Sequence, residues 1–171
     1  SSDVCSSDRG GPGDQWNSIA VRGSSIYLAG RTDGTVAGTN AGGSDTITAR
    51  YDLNGNLQWI DQEGTSQYDY VGGMAVHSNG DMYVVGDTEG TIGVANLGSA
   101  DAFMLKYPSA RNRTWVHQVG SDKDDYLYGT AVSGDKVWAV GSTNGNAWDG
   151  VAGPSDILVV QYDTAGNQKM V

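Results

Sequence analysis

An internal repeat of 55 to 56 residues is the feature that most constrains how this chain can fold. A short apolar segment closing on glycine recurs three times, at Gly30, Gly86 and Gly141. An aspartate followed six residues later by a tyrosine recurs in the same register. These pairs are Asp45 and Tyr51, Asp101 and Tyr107, and Asp156 and Tyr162. Because the register holds across the unit, each repeat is predicted to be one supersecondary unit that stacks on its neighbours.

Each repeat is predicted to contain four short antiparallel strands. The first two strands of the second repeat are joined by Asn79-Gly80, which is a strong hairpin signal. A longer loop, 88–100, separates its second and third strands. Trp59 and Trp115 recur in the fourth strand and are predicted to pack between repeats. The predicted strands of the second repeat are 72–77, 81–87, 101–107 and 113–118.

The second strand of each repeat is apolar on both faces. Tyr83 and Val85 alternate with Met82 and Val84, and successive side chains of a strand point to opposite faces. A sheet that is apolar on both faces is predicted to lie between two neighbours. The fold class is therefore predicted to be all-β, a partial, three-blade arc of a β-propeller. A β-solenoid is the alternative. Trp138 occupies the position of Tyr83 and is predicted to be core.

Composition and charge exclude several classes of partner. The 171 residues include 26 glycines and 3 prolines, which suits short strands and tight turns. The formal net charge is −10, and this argues against nucleic acid because phosphate contacts need clustered lysine and arginine. No apolar run approaches the ~18 residues of a membrane-spanning helix. A secreted or cell-surface location is expected, without membrane insertion.

The two ends of the chain suggest a fragment. Residues 1–8 resemble the translated read-through of a sequencing adapter in metagenomic data, so Cys5 is not expected to belong to the natural protein. Residues 1–13 are expected to be a disordered or artefactual leader without a signal peptide. The repeats are expected at about 14–69, 70–125 and 126–171. The last of them ends inside a predicted strand, where Met170 replaces the recurring tryptophan.

The repeat landmarks resemble those of the SBBP family of bacterial β-propeller repeats. The second repeat carries the closest match, in Tyr83-Val84-Val85-Gly86 and in Asp101-Ala102-Phe103-Met104-Leu105-Lys106-Tyr107. Gly120 and Asp125 ahead of Ala131-Val132 follow the same pattern. The resemblance implies a propeller ring, often of seven blades, in a secreted or surface protein. It implies no particular reaction.

Three groups of polar residues are candidate sites. Asp45, Asp101 and Asp156 are expected to cap backbone N–H groups where the long loop enters the third strand, with calcium ligation as the alternative. Asp52, Asn54 and Asn56 alternate like the start of a calcium loop, but a hairpin turn accounts for them better. Trp148 and Asp149 depart from the repeat in a long loop, and are the candidate contacts for a ligand.

The favoured function is a non-enzymatic scaffold or binding module that presents loops to a protein or glycan partner. No catalytic residue is predicted, because neither histidine lies in a metal-ligand motif and no nucleophile elbow occurs. A calcium-stabilised adhesin and a part of a propeller-type polysaccharide-active enzyme are the alternatives. Packing on neighbouring blades or self-association is also expected, because an open arc leaves sheet faces uncovered.

Overall fold

The computed structural model describes residues 13–145 and 155–171, and these residues form twelve β-strands. The first repeat contains β1 (Gln15–Arg22), β2 (Ser25–Thr32), β3 (Asp45–Asp52) and β4 (Leu57–Glu63). The second contains β5 (Asp69–Val76), β6 (Met82–Thr88), β7 (Asp101–Tyr107) and β8 (Trp115–Val119). The third contains β9 (Asp125–Ser133), β10 (Lys136–Thr143), β11 (Asp156–Asp163) and β12 (Gln168–Met170).

Each repeat forms one four-stranded antiparallel sheet in which the strand order follows the chain order. The predicted all-β class with four antiparallel strands per repeat is confirmed for the described residues. Three strand starts of the second repeat differ from the prediction: β5 begins at Asp69, β6 at Met82 and β8 at Trp115. The early start of β5 brings Asp69 opposite Thr88 in β6, and the side chains of these two residues share a hydrogen bond.

The second sheet lies between the other two and is buried on both faces. One buried cluster joins Tyr83 and Val85 to side chains of the third sheet, including Leu127 and Val160. A second cluster joins Met82, Val84 and Phe103 to Tyr27 and Ala29 of the first sheet. The alternation along β6 therefore places its apolar side chains as predicted, on two separate cores.

The sheets stack through their first strands. β5 packs against β1 and β2, and β9 packs against β5 and β6. Backbone hydrogen bonds reinforce each step, because Asp69 N donates to Ser44 O and Asp125 N donates to Ala100 O, both over 2.8 Å. The described sheets form an open stack.

The outer face of the third sheet is exposed, which corrects the expectation for Trp138. This side chain is 37 % exposed, and Val140 and Ile157 on the same face are 49 % and 86 % exposed. Trp138 has the same position in its sheet as the buried Tyr83, but among the described residues no further sheet covers it. The local sequence pattern marks the face as apolar, whereas its burial depends on a neighbouring sheet.

Among the described residues, no helix is long and apolar enough to cross a membrane.

Candidate functional site at the loop end of the stacked sheets

The long loops and the connections between repeats lie together at one end of the stack, which we call the loop end. Since adjacent strands are antiparallel, the loops 33–44 and 89–100 emerge at the end where β5 and β9 begin. The short hairpin turns 23–24, 53–56 and 77–81 lie at the opposite end, which we call the turn end. Loops held on a rigid scaffold are where binding residues concentrate.

A glutamine and an aspartate fix the loop of the second repeat. Gln118 in β8 accepts hydrogen bonds through Oε1 from the backbone N of Ile92 and Gly93, each over 3.1 Å. Its Nε2 donates to Gly90 O over 3.0 Å and to Asp101 Oδ2 over 2.9 Å. Asp101, at the start of β7, is fully buried. The amide of Gln118 thus uses both its donors and both acceptor sites, and we call this arrangement the loop clamp.

The first repeat has the same loop clamp. Gln62 Oε1 accepts from the backbone N of Val36 and Ala37 over 2.8 and 3.0 Å. Its Nε2 donates to Gly34 O and to Asp45 Oδ2, both over 2.8 Å. The recurrence of all these contacts after 56 residues shows that the loop conformation belongs to the repeat. Sequence reasoning missed both glutamines, although their 56-residue spacing was a usable signal.

The recurring aspartates at the start of the third strands cap the loop backbone. Asp45 Oδ2 accepts from Ala41 N, and Asp101 Oδ2 accepts from Leu97 N, both over 3.0 Å. Asp156 opens β11 and pairs in register with Thr143. These contacts satisfy backbone donors that would otherwise lack partners as the loop turns into the strand.

In the first two sheets, an aspartate at or beside the start of the first strand is hydrogen-bonded to a threonine at the end of the second strand. Thr32 Oγ1 donates to Asp14 Oδ1 over 2.7 Å, and Thr88 Oγ1 donates to Asp69 Oδ1 over 2.5 Å. Burial raises the pKa of Asp69, and its hydrogen bonds oppose that rise. In the third repeat Asp125 accepts from the N and Oγ of Ser121, over 2.5 and 2.8 Å, as Asp69 accepts from the N and Oγ1 of Thr65.

Charged and aromatic side chains lie beside these aspartate–threonine hydrogen bonds, on β2, β5 and β6. The guanidinium carbon of Arg31 lies 4.6 Å from the ring centroid of Tyr70, which is a cation–π distance. Burial raises the pKa of Asp87 to about 7, and the acidic neighbours Glu89, Asp69 and Asp124 act in the same direction. Asp87 in the second repeat is equivalent to Arg31 in the first repeat.

Two exposed apolar side chains project from the loop of the second repeat. Val94 is 54 % exposed and Leu97 is 61 % exposed. Both lie in the loop that Gln118 holds, so their positions are fixed by the clamp. They were not among the residues singled out from the sequence, because the signal that selected Trp148 was an aromatic residue in a polar loop and these two are aliphatic. Trp148 and Asp149 themselves lie outside the described residues, as does the leader up to residue 12.

Asp52, Asn54 and Asn56 come together in a hairpin turn at the turn end. Asp52 Oδ1 accepts from the backbone N of Asn54 and Asn56, each over 2.9 Å. Asp52 Oδ2 accepts from Asn56 Nδ2 over 2.7 Å, and these hydrogen bonds lower the pKa of Asp52. Asp163 and Asn167 make the same contacts in the third repeat. Both carboxylate oxygens of Asp52 thus serve the turn.

The recurring glycines lie where a strand approaches its neighbour within one sheet. A Cβ atom on Gly30, Gly86 or Gly141 would stand 2.0, 1.8 or 1.7 Å from the backbone oxygen of Gln15, Tyr70 or Tyr126. Register shifts occur at the same places, and they mark a β-bulge in each sheet. The requirement for glycine is therefore steric.

The recurring aromatic residues pack between sheets. Trp115 contacts the core shared by the second and third sheets, and Trp59 contacts the core shared by the first and second. The ring of Tyr162 stacks on His117 with centroids 4.3 Å apart, and burial lowers the pKa of His117. Tyr107 OH donates to Glu63 Oε1 across the interface between the first two sheets.

Within the described ranges, no group of three or more His, Cys, Asp or Glu side chains is arranged to hold a metal.

This chain is similar to a segment of a larger protein. No family model matches the chain. A stretch of 112 residues, 61 % of this chain, is 29 % identical to the regulatory protein FlaEY of Caulobacter vibrioides. That stretch represents 12 % of FlaEY, so the chain spans a small part of this relative.

Proposed function

We propose that this chain is a non-enzymatic binding module of a bacterial secreted or cell-surface protein, which presents the loops of stacked β-propeller blades to a protein or glycan partner. The loop clamp carries the proposal. Gln62 and Gln118 hold their loops through four hydrogen bonds each. A loop that is ordered before binding loses less conformational entropy when a partner docks.

Stacked four-stranded sheets support the propeller part of the proposal. Blades of a propeller are four-stranded antiparallel sheets that pack face to face, and the resemblance to SBBP repeats has the same implication. In this proposal, the exposed outer face of the third sheet packs on a further blade or on another copy of the chain. Burial of Trp138, Val140 and Ile157 would remove a contiguous apolar patch from water.

Sedimentation velocity tests the packing of this outer face. The 171-residue chain is expected to sediment as oligomers. The double substitution Val140→Lys/Ile157→Lys places two charges on the face and is expected to shift the protein towards monomer. Leu53→Lys is the control, because Leu53 is 58 % exposed in the turn between β3 and β4 of the first sheet and does not lie on this face. A wild-type chain that sediments as a cooperative folded monomer would contradict the proposed packing.

The similarity to FlaEY is consistent with a binding role, because the name of that relative describes a regulatory protein. A regulatory protein can act by binding alone, and the similarity extends over 112 residues, or 61 % of this chain. The calcium-stabilised adhesin and the polysaccharide-active enzyme are alternatives that predict different results. The first predicts stabilisation by calcium, and the second predicts turnover of a polysaccharide.

A glycan array and an array of bacterial surface proteins, followed by surface plasmon resonance, test the loops as the binding surface. For a ligand so identified, Val94→Ser/Leu97→Ser is expected to weaken binding at least tenfold. Trp148→Ala and Asp149→Ala test the candidate contacts of the third repeat in the same assay. Leu53→Ser is the matched control, since it removes an exposed apolar side chain at the turn end. The proposal fails if no ligand is found, or if loop and control variants bind alike.

A further inference from the structure

A polar crevice of about 500 Å³ opens at the turn end, between the first and second sheets. Two arginines of the first sheet line it, Arg22 at the end of β1 and Arg50 in β3. From the second sheet, Ser78, Asn79 and Ser109 line the other wall. We propose that this crevice is a binding site for an acidic saccharide, with the two guanidinium groups on a carboxylate or sulfate group of the sugar.

Hydrogen bonds across the interface hold the guanidinium groups in place. Arg22 Nη2 donates to Val76 O over 3.1 Å. Arg50 donates through Nε to Ser25 Oγ over 2.9 Å and through Nη1 to Ser109 O over 3.0 Å. The guanidinium carbon of Arg50 also lies 5.7 Å from the ring centroid of Tyr27. Each guanidinium has five N–H donors in a fixed fork, so further donors are available to a bidentate oxyanion.

The arginines lack an ion-pair partner within the described residues. The salt bridges among the described residues involve four other cations, which are Lys106, Arg111, Arg113 and Lys169. Asp52 follows Arg50 on the same strand, but its oxygens accept hydrogen bonds from its own turn. Asp81 follows the lining residue Gly80, and Lys106 pairs with its carboxylate over 3.0 Å.

The equivalent place between the second and third sheets provides an internal comparison. Lys106 occupies the position of Arg50 in the second repeat. Its Nζ donates to Thr164 O over 2.8 Å. Arg50 likewise donates to a backbone oxygen of the neighbouring sheet, that of Ser109. Asp81 occupies the position of Ser25 and neutralises that lysine. His77 occupies the position of Arg22. At the second interface one cation bridges the sheets and is paired with a carboxylate, whereas the first interface has two arginines and a serine in place of the carboxylate.

The lining favours an acidic saccharide over an acidic peptide. Beside the cations, the crevice presents serine hydroxyls, which both donate and accept hydrogen bonds, and the Asn79 amide, whose Oδ1 accepts from Asp81 N while its Nδ2 can donate. A sugar carries hydroxyl groups around its whole ring and each needs such a partner, whereas in an acidic peptide only the backbone amides and the carboxylates do. The net charge of −10 does not prevent binding, because charges beyond a Debye length of about 8 Å are largely screened at physiological salt.

Isothermal titration calorimetry of the 171-residue chain tests the site. The probes are an oligogalacturonate, its fully methyl-esterified form and a sulfated oligosaccharide of the same length. At least one acidic probe is expected to bind, more weakly as salt rises, and the neutral ester is expected not to bind. The acidic probe that binds more tightly identifies the anionic group as carboxylate or sulfate. Failure of both acidic probes, or equal binding of the ester, would overturn the proposal.

Matched variants locate the binding. Arg22→Ser/Arg50→Gln introduces the residue types found at the same positions of the third repeat, and it is expected to weaken binding at least tenfold. Lys123→Gln/Lys136→Gln removes the same charge elsewhere and is expected to bind like wild type. Arg22→Ser alone, at an exposed residue, serves if the double variant fails to fold, with at least threefold weakening expected. An equal effect of the control pair would overturn the site.

Two further measurements separate this inference from its alternatives. A polyglutamate peptide that binds as tightly as the better acidic saccharide would overturn the assignment to sugars. Val94→Ser/Leu97→Ser changes the loop end and is expected to leave oligosaccharide binding unchanged. The crevice lies at the opposite end of the sheets from the loops, so loss of binding at one end is expected to leave binding at the other end unchanged.

Discussion

Gln118 donates a hydrogen bond from Nε2 to Oδ2 of the buried Asp101 over 2.9 Å, and this contact joins the fourth strand of the second sheet to the start of its third. The same glutamine holds the backbone of the loop that lies between β6 and β7. One side chain thus couples the stability of the sheet to the conformation of its longest loop.

Replacement of this glutamine is expected to destabilise the protein. Gln118→Leu keeps the size of the side chain but removes one hydrogen-bond partner of the buried Asp101 and leaves the loop backbone without its partner, at a cost of about 2–4 kcal/mol. Urea unfolding measures the change, and limited proteolysis within 89–100 should become faster. Gln58→Leu is the control, because Gln58 is exposed and donates only to Asn56 O over 3.3 Å. Equal midpoints for the two variants would contradict the clamp.

The bulge glycines are expected to be sensitive to a single methyl group. Gly86→Ala places a Cβ 1.8 Å from Tyr70 O, and the backbone shift needed to relieve this contact is expected to cost about 1–3 kcal/mol or more. Gly129→Ala is the matched control in a neighbouring sheet, where the nearest atom, Val140 Cγ2, would be 3.7 Å away. Thermal unfolding compares the two. A Gly86→Ala protein as stable as Gly129→Ala would show that the bulge tolerates a side chain.

Asp87 is expected to make the protein less stable as the pH rises. Burial raises the pKa of this carboxyl to about 7 in the folded state, from an ordinary value of 3.8. The folded state then binds more protons than the unfolded state between these values, so stability falls as pH increases through that window. Asp87→Asn removes the effect and is expected to gain about 1–2 kcal/mol over wild type at pH 8 after allowance for solvent screening.

Urea unfolding at a series of pH values measures this difference. Below pH 4 the carboxyl is largely protonated in wild type, so the two proteins are expected to have similar stability there, which serves as the internal control. Parallel stability curves from pH 4 to pH 8 would contradict the assignment.

The turn at Asp52 is expected to be independent of calcium. Asp52→Ala should lower the melting temperature by the same small amount with calcium and with EDTA, because the carboxylate serves the turn backbone. Asn54→Ala discriminates between the two interpretations, since Asn54 contributes its backbone N to the turn. A calcium site would lose affinity with either substitution. A decrease of several degrees on adding EDTA to wild type would instead support the calcium-stabilised adhesin.

Local chemistry and periodicity made much of the fold predictable. The apolar alternation of Met82 to Val85 predicted a strand with two buried faces, and the structure places these side chains in two cores. Asn79-Gly80 predicted a hairpin, and Gly80 adopts a positive φ of 89° in that turn. These features depend on residues close together in sequence, so a single chain is enough to reveal them.

The candidate sites were less predictable because their residues meet only after strands pair and sheets stack. Gln118 and Asp101 are 17 residues apart and become neighbours through the pairing of β7 and β8. Arg50 and Ser109 are 59 residues apart and belong to different sheets. Neither contact leaves a pattern within one strand.

By itself, the sequence determined the repeat, the strand type and the residues that need glycine or a turn, because these follow from backbone sterics and apolar spacing. Only the tertiary structure decided which polar groups share a hydrogen bond and which apolar faces are covered. Trp138 shows the difference: its position in the repeat is that of the buried Tyr83, yet it is 37 % exposed. Burial requires a second surface, and a strand does not encode whether that surface is present.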